Sequence, residues 1–128
     1  MIVVDSSAFI AILRDEPEAQ RFSGAVALAT APAMAAATYL EGAIVAARVP
    51  DGRAILDAWI AARRISLVPV DHTLAQIAAD AFARYGKGRH PAGLNFGDCF
   101  AYALARSLNA PLLFKGDDFA RTDVLRAA

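Results

Sequence analysis

Ile2-Val3-Val4-Asp5-Ser6-Ser7-Ala8-Phe9-Ile10-Ala11-Ile12-Leu13 opens the chain and changes period partway along. Ile2, Val3 and Val4 are apolar on both faces of any strand they form, the pattern of a strand buried in a parallel sheet. Asp5-Ser6-Ser7 is a cluster of short oxygen-bearing side chains of the kind that starts helices. Ala8, Phe9, Ile12 and Leu13 then follow helical spacing. A buried strand that runs through an acid into a helix is the opening of an α/β fold. It places Asp5 at the carboxyl end of the strand, where open α/β sheets bind their ligands.

Working outward, the alternation continues. Helices are expected over residues 18–28, from the capping-box-like Thr38-Tyr39-Leu40-Glu41 to about Arg48, over 53–64, from the cap Asp71 through Phe82, and over 98–108. Strands are expected at 32–36, 67–70 and 111–114, with a last short one at 124–125. Residues 85–97 carry Gly86, Gly88, Pro91, Gly93 and Gly97 and read as a long, mobile loop of the functional sort. Strands alternating with helices favour a parallel sheet wrapped on both faces.

Size and composition narrow the class. The 128 residues fit one domain, 1–128, with a real core, and 57% apolar with 20% charged residues excludes disorder. Thirteen basic residues balance thirteen acidic ones, so any attraction for nucleic acid must be local. A single Cys99 excludes an internal disulfide and suits a reducing cytoplasm, and with only His72 and His90 beside it no structural zinc site can form. The start lacks the basic and long apolar regions of a signal peptide. Residues 22–40 are uncharged, but they are Ala-rich and interrupted by Pro32, so a helix followed by a strand is expected there rather than a membrane span.

Three acids stand out by isolation. Asp5 is the only charged residue in 1–13, Glu41 the only one in 22–47, and Asp98 the only one in 91–105. An ionised carboxylate in apolar surroundings must be neutralised, paired or placed on a metal, and no Lys or Arg lies nearby in sequence. Gathered together, they would form an all-oxygen site for a hard cation. Each also has a plainer role: Asp5 as a cap, Glu41 as part of a capping box, Asp98 three residues after an Asn95 cap. Asp117 and Asp118 follow the late strand. Glu16 and Glu18, beside Arg14 and Arg21, and Asp51, Asp57 and Asp80 read as solvated charges. Tyr39 and Trp59 read as packing residues rather than base-stacking platforms, and Cys99 as a small buried filler.

With the acids placed, the chain resembles the PIN-domain ribonucleases, in particular the VapC toxins of toxin–antitoxin modules. The resemblance rests on Ile2-Val3-Val4-Asp5-Ser6-Ser7-Ala8, on Tyr39-Leu40-Glu41, on Asn95-Phe96-Gly97-Asp98-Cys99-Phe100-Ala101-Tyr102-Ala103-Leu104-Ala105, and on Leu112-Leu113-Phe114-Lys115-Gly116-Asp117-Asp118-Phe119, so it spans essentially the whole chain. It implies an α/β/α sandwich around a short parallel sheet and Mg²⁺- or Mn²⁺-dependent endonucleolytic cleavage of RNA. It also implies a VapB-type antitoxin that covers the acidic pocket, and a homodimer within a toxin–antitoxin hetero-oligomer. Asp5, Glu41 and Asp98 match the first three acids of the family, with Ser7 as the supporting hydroxyl. The fourth is Asp117 or Asp118, with Asp117 slightly favoured.

An acidic pocket repels RNA, so basic residues must hold the backbone around it. Lys115, beside the fourth acid, is the foremost candidate, with Lys87 and Arg89 in the Gly-rich loop, Arg14, His90 and Arg121 behind it. Two other readings compete with a nuclease. A PIN fold that only binds a partner would not need the intact acid set. A receiver-type phosphoacceptor would need a second acid beside Asp5, where two serines stand, and an Asp after the strand at 32–36.

Overall fold

The computed structural model describes residues 1–128. Four strands, β1 (Ile2–Val4), β2 (Pro32–Ala35), β3 (Ser66–Val68) and β4 (Leu112–Leu113), form one sheet in the order β3-β2-β1-β4, with every pairing parallel. Six helices connect and cover them: α1 (Ser6–Leu13), α2 (Ala19–Leu28), α3 (Ala36–Ala46), α4 (Gly52–Ala62), α5 (His72–Tyr85) and α6 (Phe96–Leu108). The expected α/β/α sandwich with a short central parallel sheet is what forms.

Strand alternation divides the core between the two faces of the sheet. Val3, Ala33, Ala35 and Leu112 pack with α5 and α6, among Leu74, Ala78, Ala81, Cys99, Tyr102 and Leu104. Val4, Met34 and Leu113 pack on the other side with Ala8, Phe22 and Val26 of α1 and α2. Trp59 stacks at a tilt on Phe9 with centroids 5.2 Å apart, and the Tyr39 hydroxyl donates to Asp57 with Arg53 over its ring, so both aromatics are packing residues. No helix is long and apolar enough to cross a membrane.

Boundaries differ from the sequence pattern where backbone geometry decides. The helix expected to start at a Thr38–Glu41 capping box begins earlier, at Ala36. Thr38 is buried with its hydroxyl unpartnered, and Glu41 falls in the second turn of α3 and caps nothing. The strand expected at 67–70 is Ser66–Val68, ending before Pro69, which has no N–H to pair. The last strand expected at 124–125 reduces to a single parallel bridge between Leu112 and Arg126. The Gly-rich segment at 85–97 is pinned: Leu94 N–H donates to Tyr85 O at 3.0 Å, Lys87 N–H donates to Leu94 O at 2.9 Å, and Ala92 and Leu94 are buried.

The C-terminal segment is tied to α6 by polar contacts. The buried Tyr102 hydroxyl donates to Asp123 at 2.5 Å, and Arg84 and Arg106 flank the same carboxylate at 3.7 and 3.8 Å. Tyr102→Phe leaves that carboxylate without its shortest donor. A loss of about 1.5 kcal/mol in urea unfolding is expected, with RNA cleavage unchanged.

Candidate active site

The carboxyl end of β1 is where distant segments meet. Asp5 caps α1 with extended backbone, and its Oδ2 accepts from Ser7 N–H at 3.1 Å and Ser7 Oγ at 2.6 Å. Ser7 Oγ in turn accepts the backbone N–H of Lys115 at 3.0 Å, and Asp5 N–H donates to Leu113 O at 3.0 Å. The ends of β1 and β4 are thereby fixed to one another. Ser7, the expected supporting hydroxyl, holds one carboxylate oxygen of Asp5. The other, Oδ1, is buried with no hydrogen-bond partner at all.

Asp98 enters from α6. Asn95 and Asp98 form a reciprocal capping box, Asp98 N–H to Asn95 Oδ1 at 2.9 Å and Asn95 N–H to Asp98 Oδ2 at 3.0 Å. The plain capping role is therefore real for Asp5 and Asp98, and both also face the site. Glu41 projects from α3, with Oε1 accepting Ser6 Oγ at 2.8 Å. Asp5, Glu41 and Asp98 line one cavity of about 380 Å³, together with Ser6, Ser7, Ile10, Glu16, Val45 and Lys115. None of the three acids pairs with a Lys or Arg; the ion pairs of the protein all lie on other carboxylates.

Crowding and burial show in the acidity of Asp5 and Asp98. Burial pushes Asp5 up to about 6, against the Ser7 hydrogen bonds and with a further push from Glu41. Burial also raises Asp98 to about 7, with the charges of Asp5, Asp118 and Glu41 adding to it and the Asn95 bond opposing. Both shifts mark carboxylates held where their charge is unsatisfied. The Cys99 thiol, raised to about 11 by burial and by Asp98, donates to Asn95 O and stays protonated, so it serves as filler.

The remaining sequence candidates separate. Asp117 and Asp118 are exposed in the turn after β4 and do not line the cavity. Only Asp118 appears among the charges acting on Asp98, and its side chain caps nothing. Lys115 reaches the cavity wall, but its ammonium is held by Glu16 at 2.9 Å and Glu18 at 3.4 Å. Those two glutamates were expected beside Arg14 and Arg21 as solvated charges; tertiary contact gives them Lys115 instead. Arg14, Lys87 and Arg89 are exposed and stand outside the cavity. His90 accepts Ala92 N–H at its Nδ1 and sits edge-on to Tyr85, and Arg121 donates to Pro91 O, so both brace the Gly-rich loop. The sequence reading missed Ser6 and Glu16. Ser6 had a signal, as a second hydroxyl next to Asp5; Glu16 had none.

The donor set fits a hard divalent cation. It is all oxygen, one buried carboxylate oxygen lacks any partner, and the chain supplies no cation of its own to these acids. No three His, Cys, Asp or Glu side chains converge closely enough to hold an ion unaided.

A parallel-sheet sandwich with acids gathered where its strands end offers an all-oxygen pocket of the kind that phosphate-ester hydrolases use with a bound cation. Comparison with known proteins makes the class specific. The PIN domain family model matches residues 2–125. The chain is 52% identical over 126 residues to Ribonuclease VapC of Mycolicibacterium smegmatis, covering 96% of this chain and 97% of that one. It is 48% identical over 130 residues to Ribonuclease VapC30 of Mycobacterium tuberculosis, covering 99% and 98%. In fold it is similar to Mycobacterium tuberculosis VapC20, described as a sarcin–ricin loop cleaving toxin, with TM-score 0.75, 16% identity and coverage of 98% and 97%. It is equally similar to a toxin–antitoxin complex from Klebsiella pneumoniae, with TM-score 0.76, 16% identity and coverage of 100% and 98%. The chain belongs to the PIN-domain family, within its VapC ribonuclease branch.

Proposed function

We propose that this VapC-type endoribonuclease, the toxin of a toxin–antitoxin pair, acts as a single PIN domain over 1–128 and cuts RNA at the Asp5–Glu41–Asp98 cavity with Mg²⁺ or Mn²⁺. The observation that carries the reading is the buried Oδ1 of Asp5, unpartnered and flanked by two more unpaired acids. Asp5, Asp98 and Glu41 would hold the cation, with Asp118 favoured over Asp117 as the outer acid because its charge reaches Asp98. When bound, such an ion supplies an acidified water and relieves charge on the scissile phosphate.

The protein's own side chains do the positioning. Ser7 fixes the Asp5 carboxylate and couples it to the β4 turn. Asn95 holds Asp98 at the start of α6. Lys115 is anchored by Glu16 and Glu18 at the cavity wall, where it offsets their negative charge toward an approaching phosphate. Exposed Arg14, Lys87 and Arg89 supply the sequence-independent attraction that RNA needs. Leu40, Ile44 and Phe96 leave large apolar side chains in water near the acid-bearing segments, which supports coverage by a VapB-type antitoxin and a homodimer within the hetero-oligomer. A cytoplasmic site of action is supported by the single free cysteine, Cys99, which suits a reducing compartment.

The test is cleavage of total bacterial RNA by the purified protein freed of antitoxin. Cleavage is expected with Mg²⁺ or Mn²⁺ and not with EDTA, and Asp118→Asn is expected to lose more activity than Asp117→Asn. Undiminished cleavage in EDTA removes the cation, and no cleavage under any condition leaves an inert binding module.

A further inference from the structure

We infer that Ser6 and Gly97 are positioning residues that hold the Glu41 carboxylate at the acidic cavity, Ser6 by a hydrogen bond and Gly97 by having no side chain. Glu41 projects from the second turn of α3 on a long side chain with several free rotations, and no Lys or Arg restrains it. Two neighbours do. The buried Ser6 hydroxyl, at the start of α1, donates to Oε1 at 2.8 Å. The other carboxylate oxygen, Oε2, lies against Gly97, in the first turn of α6. A Cβ at Gly97 would stand 2.7 Å from Glu41 Cδ and 3.0 Å from Oε1, and closer still to Oε2.

Backbone conformation does not demand glycine at 97. It is an ordinary helical position, absent from the residues with positive φ, and glycine is among the poorest helix formers. The three atoms nearest to a Cβ built there all belong to the Glu41 carboxylate. That group is the far end of a flexible chain, so alanine is accommodated by swinging Glu41 away and the helix stays intact. α1, α3 and α6 thereby place one carboxylate jointly, although only Glu41 bears a charge. Mutation of such supporting contacts around a metal ligand typically costs 10–100-fold in metal affinity.

The inference rests on the cation reading above, and the experiment separates the two. Mn²⁺ binding is measured by calorimetry on the antitoxin-free protein, alongside the metal-free thermal midpoint and the Mn²⁺ dependence of RNA cleavage. Gly97→Ala is expected to leave the midpoint unchanged or higher while weakening Mn²⁺ binding about tenfold or more. Ser6→Ala is expected to weaken it in the same direction. Gly24→Ala, in a helix where an added Cβ meets nothing within 4 Å, should raise the midpoint with Mn²⁺ binding unaltered. In a Glu41→Asp background, where the shorter side chain withdraws from residue 97, Gly97→Ala should have no further effect. Mn²⁺ binding that survives Gly97→Ala, or falls equally in both backgrounds, overturns the clamp alone. A wild-type protein that binds no Mn²⁺, or loses none of it in Asp98→Asn, overturns the cation pocket and the clamp together.

Discussion

Asp98→Asn is expected to lower RNA cleavage by at least about a hundredfold, equivalent to roughly 2.7 kcal/mol of transition-state stabilisation, while the metal-free protein becomes no less stable near neutral pH. The two effects have one cause. Asp98 is half-buried and crowded by Asp5, Glu41 and Asp118, so its charge costs the fold more than the Asn95 bond it accepts returns. Asparagine keeps the shape and still offers an oxygen to Asn95 N–H, so the capping box that starts α6 survives. Loss of activity with the thermal midpoint maintained or raised identifies a functional carboxylate. Full activity in Asp98→Asn removes Asp98 from the site, and a collapsed midpoint reduces it to a structural cap.

The stability of the cation-free protein is expected to fall as pH rises from about 4 to about 7, and Mn²⁺ or Mg²⁺ to restore it most strongly at the upper end. Unfolded aspartates ionise near 3.9. In the folded protein Asp5 is raised to about 6 and Asp98 to about 7. Between those values the unfolded chain has released protons that the folded chain still binds. The unfolded state therefore gains relative to the folded one with each step upward in pH. Below about 4 both states are protonated and the contribution is fully present. Above about 7 it is lost. The rise at buried Asp5 alone corresponds to about 3 kcal/mol. A divalent cation binds the ionised folded site and not the unfolded chain, so its stabilisation grows over the same window. Thermal melts at several pH values, with EDTA or with Mn²⁺, read this directly, compared with Asp98→Asn to subtract titrations elsewhere. A wild-type midpoint that tracks the variant across the window, with no response to Mn²⁺, would contradict it.

Much of the fold was legible because its signals are local. Ile2–Val4 is apolar on both faces because a strand between β2 and β4 meets helices above and below. Asp71, Asn95 and Asp5 announce helices by chemistry that acts within three residues. Errors arose where local chemistry lost to packing. Thr38 and Glu41 have the form of a capping box, yet the helix starts three residues sooner because β2 runs directly into it at Ala35.

The isolation of Asp5, Glu41 and Asp98 in uncharged tracts is a property of the sequence by itself, and so is the absence of a cationic neighbour for any of them. That was enough to mark them as a set. Which side chains keep company with them is another matter. Lys115 belongs to Glu16 and Glu18, Ser6 to Glu41, and Gly97 lies under the Glu41 carboxylate. The residues in these pairings lie from 35 to 99 positions apart where hydrogen bonds join them. A carboxylate in apolar surroundings advertises its own cost from the sequence alone, because that cost is set by the residue and its immediate neighbours. The partner that satisfies or steers it is set by how the parallel sheet folds the chain back on itself, and only the tertiary structure decides that.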